Sequence, residues 1–145
     1  MKIKKNSTDI MYSSNGDFFL SGKTGDLARA NTHDHKITKQ IVIKRLESSH
    51  ADWKHLRNYG ANLTNFVGKR NTAATGEMIK AAIVRTLTHD GLIEPSKIQV
   101  ELLPTGPRSV LIVLQISAPS TTAKTPMVIT FTYDLRNNKL VLRRN

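Results

Sequence analysis

The sequence predicts an α+β domain with an N-terminal hairpin, two main helices and a C-terminal antiparallel sheet. One observation behind this prediction is an amphipathic segment near the middle of the chain, with helix-end signals on both sides. The other is a set of short C-terminal segments in which apolar and polar residues alternate, as in strands with one wet face. A chain of 145 residues suits a single core. We therefore expect a flexible basic arm over residues 1–8 and a single domain over residues 9–145.

The central helix is predicted to run from Thr72 to Asp90. Asn71 and Thr72 are cap-type residues, and Gly91 stands where a left-handed residue would close the last turn. Six residues share one face at helical spacing, namely Thr75, Met78, Ile79, Ala82, Ile83 and Leu87. This pattern predicts a helix that packs on the core and keeps one side in water.

The N-terminal part predicts the hairpin and the other helix. Asn15-Gly16 lies between two short apolar segments, residues 10–12 and 17–20, and supplies the positive φ angles that a tight turn needs. Over residues 32–48 the apolar pattern does not separate a helix from a buried strand. The length of this segment and the cap-type residues near its start favour a helix.

The C-terminal part predicts the sheet. Pro95 drives Glu94 into extended backbone, which ends any helix and starts the next strand. The strands are predicted over residues 98–103, 109–117, 127–134 and 139–143. The segment from Val110 to Leu114 is continuously apolar, so we expect a central strand that is covered on both sides.

The composition limits the class of protein. The formal net charge is +11, which favours acidic partners or nucleic acid. The cations are spread along the chain, and only Trp53 and Tyr59 are aromatic residues near a basic cluster, so a nucleic-acid-binding domain is the alternative. Trp53 and Leu56 are expected to pack on the core. No segment approaches the ~18 apolar residues of a membrane span, and Cys is absent, which excludes disulfides and thiolate metal sites.

Phosphate-binding and metal-binding motifs are incomplete. Gly22-Lys23-Thr24 imitates the end of a phosphate-binding loop, but the required glycine five residues earlier is Asp17, so we expect an ordinary loop. Two histidine pairs, His33 with His35 and His50 with His55, have spacings that do not suit a metal site on a helix. The sequence therefore predicts no metal and no cofactor.

Glu47 and Asp52 are the carboxylate pair that could serve a glycosidase. Such an enzyme needs one acid that stays protonated in an apolar pocket. Both residues lie among Lys44, Arg45, Lys54 and Arg57, whose charges favour the ionised carboxylates and oppose the acid role. The sequence therefore predicts that the chain is not an enzyme, with a muralytic hydrolase as the third hypothesis.

The segment from Tyr59 to Lys97 contains Tyr59-Gly60 with Leu63, the central helix, Asp90-Gly91, and Glu94-Pro95 before the strands. With these features, and with residues 16–20, the chain resembles baseplate wedge and sheath-initiator proteins of contractile phage tails. This family has carried a lysozyme-like label and is related to type VI secretion baseplate subunits. In the family an arginine follows Glu-Pro, whereas here Ser96 intervenes and the cation is Lys97. Because lysine is a point charge and not a planar fork, a bidentate contact by that arginine does not carry over.

The resemblance implies a structural role in the virion, in the tail baseplate, after assembly in the host cytoplasm. It implies a fold like the C-terminal domain of the sheath protein. It also implies assembly into a sixfold ring whose partners are wedge, sheath and tube proteins, with no binding to a membrane. The step at Glu94, Pro95 and Lys97 is then expected to bind wedge proteins. We expect the last hairpin to present the edge that starts the sheath, at Lys139, Val141 and Arg143. Cations on this uncovered strand would prevent uncontrolled pairing with other strands.

Overall fold

The computed structural model describes residues 8–12, 17–31, 35–50, 52–117 and 125–143. Its helices and strands confirm the predicted α+β arrangement with a C-terminal sheet. Except for Thr8, the predicted basic arm lies outside the described residues. In chain order the elements are β1 Thr8–Ile10, β2 Arg29–Asn31, α1 His35–Glu47, α2 Ala73–Thr88, β3 Ile98–Gly106, β4 Ser109–Ile116, β5 Met127–Asp134 and β6 Lys139–Arg143, with single 3-10 turns at Leu63–Phe66 and Pro95–Lys97.

The C-terminal sheet is an antiparallel meander in the order β3-β4-β5-β6. Side chains alternate along β4, where Val110, Ile112, Leu114 and Ile116 are buried and the residues between them are half-buried. The prediction that β4 is covered on both sides is therefore wrong for the described residues. One face of the sheet packs on the helices, and the other face stays open.

Helix α2 forms where its caps predict it. The side-chain oxygen of Thr72 accepts a hydrogen bond from the backbone N–H of Thr75 at 3.3 Å, and Gly91 adopts φ +74° just after the helix. Its core face differs from the prediction at two residues: Met78 is 51% exposed, and Thr86 is buried instead. Thr86 follows Ile79 by seven residues, so it returns to the same side of the helix, whereas Met78 lies at the margin of that side.

The N-terminal segments form a small second sheet. An antiparallel bridge joins Tyr12 to Phe18, as expected for the predicted hairpin, whose turn at Asn15-Gly16 lies outside the described residues. The sequence analysis missed β2, which is the regular antiparallel partner of β1. The side-chain amide of Gln40 on α1 bonds the backbone of Ile10 and Tyr12, so this sheet is held to α1.

Candidate functional site

Strand β6 forms one edge of the described sheet. The predicted sheath-binding residues Lys139, Val141 and Arg143 are exposed on the open face, while Leu140 and Leu142 pack against the core. The side chain of Arg143 lies across this face, because its Nε donates to Thr132 Oγ1 at 3.1 Å. The structure thus places the three residues together on one solvent-facing row.

The register of the sheet shows which backbone groups of β6 face outward. The N–H of Leu135 donates to the carbonyl of Arg108 at 2.9 Å, so alternate residues of β5 from Leu135 backwards face β4. The backbone groups of Thr132 therefore face β6, and the backbone N–H of its partner Val141 points into the sheet, towards β5. The outward backbone groups belong to Leu140 and Leu142, so an added strand would bond those two residues and not Val141.

The β5–β6 turn satisfies its own polar groups. Asp134 accepts hydrogen bonds from the backbone N–H of Arg136 at 2.8 Å and from its guanidinium at 3.3 Å. The backbone N–H of Arg136, followed by its side chain, lowers the pKa of Asp134 below its usual value. Asn137 accepts a bond from the N–H of Lys139 at 3.2 Å. The turn is thereby fixed beside the exposed row.

The predicted wedge-binding step is a solvent-exposed 3-10 turn. Glu94 is extended, with φ −68° and ψ 137°, as the following proline requires. Lys97 Nζ lies 3.5 Å from Glu94 Oε2, but the two side chains are 41% and 69% exposed. Such an exposed pair stabilises a fold little. The charges of Glu94 and Lys97 are therefore available to another molecule.

The two predicted sites lie at opposite edges of the sheet. The Glu94–Lys97 turn leads into β3, whereas the exposed row is on β6, three strand spacings away. Neighbouring strands are about 4.8 Å apart, which separates the two edges by roughly 14 Å. The structure does not unite these residues into one site.

A groove between α2 and β3 was not foreseen from the sequence. It encloses about 540 Å³ and is lined on the helix by Ala73, Gly76, Glu77 and Lys80. The N–H of Ser117 donates to the carbonyl of Lys97 at 2.8 Å, so the backbone of Lys97 faces β4. Because backbone direction alternates along a strand, the backbone groups of Val100 and Leu102 point away from β4, towards the groove. The groove forms only when α2 packs beside β3 in the folded chain, so no local sequence motif predicts it.

Arg45 and Asp90 form a buried ion pair that the sequence analysis also missed. Arg45 Nη1 donates to Asp90 Oδ1 at 2.9 Å and to the carbonyl of Thr86 at 2.8 Å, and the second guanidinium nitrogen binds the other carboxylate oxygen. Burial opposes ionisation of Asp90, but the bonds and charge of Arg45 outweigh it and lower the pKa of this carboxyl. The guanidinium also lies 5.2 Å from the centre of the Tyr59 ring.

Trp53 and Leu56 do not pack on the core as expected. They are 53% and 49% exposed, whereas Ala61, Leu63 and Phe66, further along the chain, belong to the core. Glu47 and Asp52 are also exposed, and Asp52 accepts the backbone N–H of Ser49 at 2.7 Å, which is a turn contact.

Gly22, Lys23 and Thr24 lie in the turn that the Leu20–Leu27 bridge closes. They therefore form an ordinary loop, as the sequence analysis predicts, and no described helix follows them directly.

Within the described ranges, no three His, Cys, Asp or Glu side chains come together in a way that could hold a metal ion. None of the described helices has the length and apolar character to cross a membrane. Comparisons with protein-family models, curated protein sequences and solved structures found no match to this chain. The resemblance to baseplate proteins therefore stays a prediction from the residues themselves.

Proposed function

We propose that the chain is a non-enzymatic structural subunit of a contractile tail baseplate, which binds wedge proteins and starts the sheath. The observation that supports this proposal is the edge of the sheet at β6. Its outward backbone groups at Leu140 and Leu142 offer hydrogen bonds to an extended segment of another chain. The exposed row Lys139, Val141 and Arg143 flanks that edge and would attract an acidic segment.

The Glu94–Lys97 turn is the proposed contact with wedge proteins. Its two charged side chains are exposed, and its backbone is fixed because Lys97 accepts the N–H of Ser117 at the end of β4. A fixed turn with exposed charges binds a partner without first losing much conformational entropy. This part of the proposal rests on the sequence resemblance, since the turn itself fits many partners.

The wedge contact is tested by reversing both charges of the turn. The double variant Glu94→Lys with Lys97→Glu should leave the melting temperature within about 2 °C of wild type, because exposed pairs contribute ~0–1 kcal/mol. It should block incorporation into baseplates, measured by electron microscopy of tails from cells in which the variant replaces the chain. Normal tails with the variant incorporated would show that the turn does not bind wedge proteins.

The matched control is Lys23→Glu with Asp26→Lys in the loop that the Leu20–Leu27 bridge closes. These two side chains are exposed, have the same three-residue spacing and leave the net charge unchanged. The control should assemble normally. If deletion of the chain leaves contractile tails intact, the proposed function itself fails.

A further inference from the structure

The segment from Asp52 to Tyr59 exposes two large apolar side chains to solvent. Trp53 is the one tryptophan of the chain and is 53% exposed, and Leu56 is 49% exposed. Large apolar side chains at a protein surface, aromatic ones above all, are typical anchors of interfaces.

Hydrogen bonds at successive turns hold this segment in place. Ser49 and Asp52 bond each other twice, since the N–H of Ser49 donates to Asp52 Oδ2 at 2.7 Å and the N–H of Asp52 donates back to Ser49 O at 3.1 Å. The N–H of Leu56 donates to Trp53 O at 3.1 Å, and the N–H of Tyr59 donates to Leu56 O at 2.9 Å. The backbone that carries the two apolar side chains is therefore ordered, which lowers the entropy lost on binding.

The end of the segment is fixed to the interior. The ring of Tyr59 lies 6.2 Å from that of Trp53, edge to face, and the guanidinium of the buried Arg45 lies 5.2 Å from the centre of the Tyr59 ring. The carbonyl of Arg45 accepts the N–H of Ala61 at 2.9 Å. The Arg45–Asp90 ion pair thus contacts the Tyr59 ring, and the Tyr59 ring contacts Trp53.

A basic cavity lies beside the segment. It encloses about 200 Å³ and is lined by His50, Asn58, Arg85, Thr86 and His89, none of which is acidic. Lys54 and Arg57 of the segment are exposed as well. An arginine at such a cavity can bind a carboxylate through two parallel hydrogen bonds.

We propose that residues 52–59 and this cavity form a docking surface for an acidic segment of a partner protein. Trp53 and Leu56 bind its apolar side chains, and Arg85 binds a carboxylate in the cavity. A protein fits better than nucleic acid because Leu56 offers no face on which a base could stack, whereas it suits an apolar side chain of a peptide. The surface shares no residue with the Glu94–Lys97 turn or with β6, so the proposal does not depend on the proposed function.

The experiment selects peptides from a random library of 15-residue peptides displayed on particles, with the full chain as target. Enriched peptides should combine Asp or Glu with Leu, Ile or aromatic residues. Each is then added to the chain while the fluorescence of Trp53 is followed, and its emission should shift to the blue as the indole leaves water. Replacement of the acidic residues by Asn or Gln should weaken binding at least tenfold.

The variants Leu56→Ala and Arg85→Glu should each weaken binding about tenfold or more without changing the circular dichroism spectrum. Trp53→Ala is read by calorimetry, since it removes the fluorophore. Leu103→Ala and Lys80→Ala are matched controls, because both residues are exposed elsewhere on the surface and should leave the affinity unchanged.

Two results would overturn the proposal. One is a selection in which no enriched peptide loses affinity with either Leu56→Ala or Arg85→Glu. The other is tighter binding of a single-stranded oligonucleotide than of any selected peptide, at 0.15 M salt and with loss on the same variants. That second result would assign the surface to nucleic acid.

Discussion

Loss of the Asp90 side chain should be costly, because it neutralises the buried Arg45. Asp90→Asn leaves Arg45 without its counter-charge and should lower the free energy of unfolding by about 3–5 kcal/mol. Urea unfolding measures this loss. Asp134→Asn is the control, since Asp134 pairs with an exposed arginine in a turn and its replacement should change stability little.

The same carboxylate makes stability depend on pH. Its pKa is lowered in the folded chain, so the ionised form stabilises the fold above the unfolded value of about 3.9. This stabilisation is lost as the pH falls from about 4 through the folded pKa. Melting temperatures from pH 6 to pH 2 should therefore fall more steeply for wild type than for Asp90→Asn. Parallel curves would contradict the assignment.

Tyr133 should show the opposite dependence. Burial, followed by the charge of Asp134, raises its pKa to about 12, and its hydroxyl donates to the carbonyl of Leu63 at 2.6 Å. Tyr133→Phe removes this buried hydrogen bond and should cost about 0.5–1.5 kcal/mol at neutral pH. Because the folded pKa is the higher one, wild type loses stability as the pH rises from 10 towards 12, and the variant should lose less. Chemical unfolding at pH 8, 10 and 11 compares the two.

At the scale of elements, substitution by alanine should change stability in opposite directions at two glycines. Gly76 lies inside α2, and an added Cβ would meet Leu102 at an ordinary 3.7 Å. Gly76→Ala should therefore stabilise the fold by up to ~1 kcal/mol through helix propensity. The thermal melt should rise by a few degrees. An unchanged or lower melting temperature would mean that the first turn of α2 is not helical in solution.

Gly60 is the matched contrast. It adopts φ +100°, and a Cβ there would lie 2.2 Å from the carbonyl oxygen of Ser48. Gly60→Ala should destabilise the chain by several kcal/mol, since neither the backbone angle nor the space suits alanine. A well-folded Gly60→Ala variant would show that the 60–61 backbone is not held against the end of α1.

Elements with local signals could be predicted from the sequence, and elements that depend on distant partners could not. Thr72 and Gly91 mark the ends of α2, and alternation marks β5 and β6, because caps and pleats act within a few residues. β2 has only three residues and forms because β1 lies beside it. Arg45 and Asp90 are 45 residues apart, so their pairing has no periodic signature. The exposure of Trp53 was missed because apolar character alone does not show which residues reach the core.

For the whole molecule, the net charge of +11 predicts weak binding to any polyanion. Affinity for a duplex DNA of arbitrary sequence should lie at about 10⁻⁴–10⁻⁶ M at physiological salt and fall steeply as salt increases. Fluorescence anisotropy of labelled DNA between 50 and 300 mM salt measures this. Heparin should compete equally well. Nanomolar affinity at 0.15 M salt, with preference for one sequence, would instead favour the nucleic-acid-binding alternative.

The order of the elements along the chain also determines how the protein emerges during synthesis. Both helices precede the whole C-terminal sheet, and that sheet supplies much of the surface on which Ile79, Ile83 and Leu87 are buried. The roughly 50 residues from Gly91 to Arg143 take on the order of 3–10 s to translate at about 5–20 residues per second. During those seconds α2 carries an uncovered apolar face beside the ribosome, where chaperones can bind it. Once Arg143 has emerged, closure should be quick, because each strand of the meander pairs with the one made just before it.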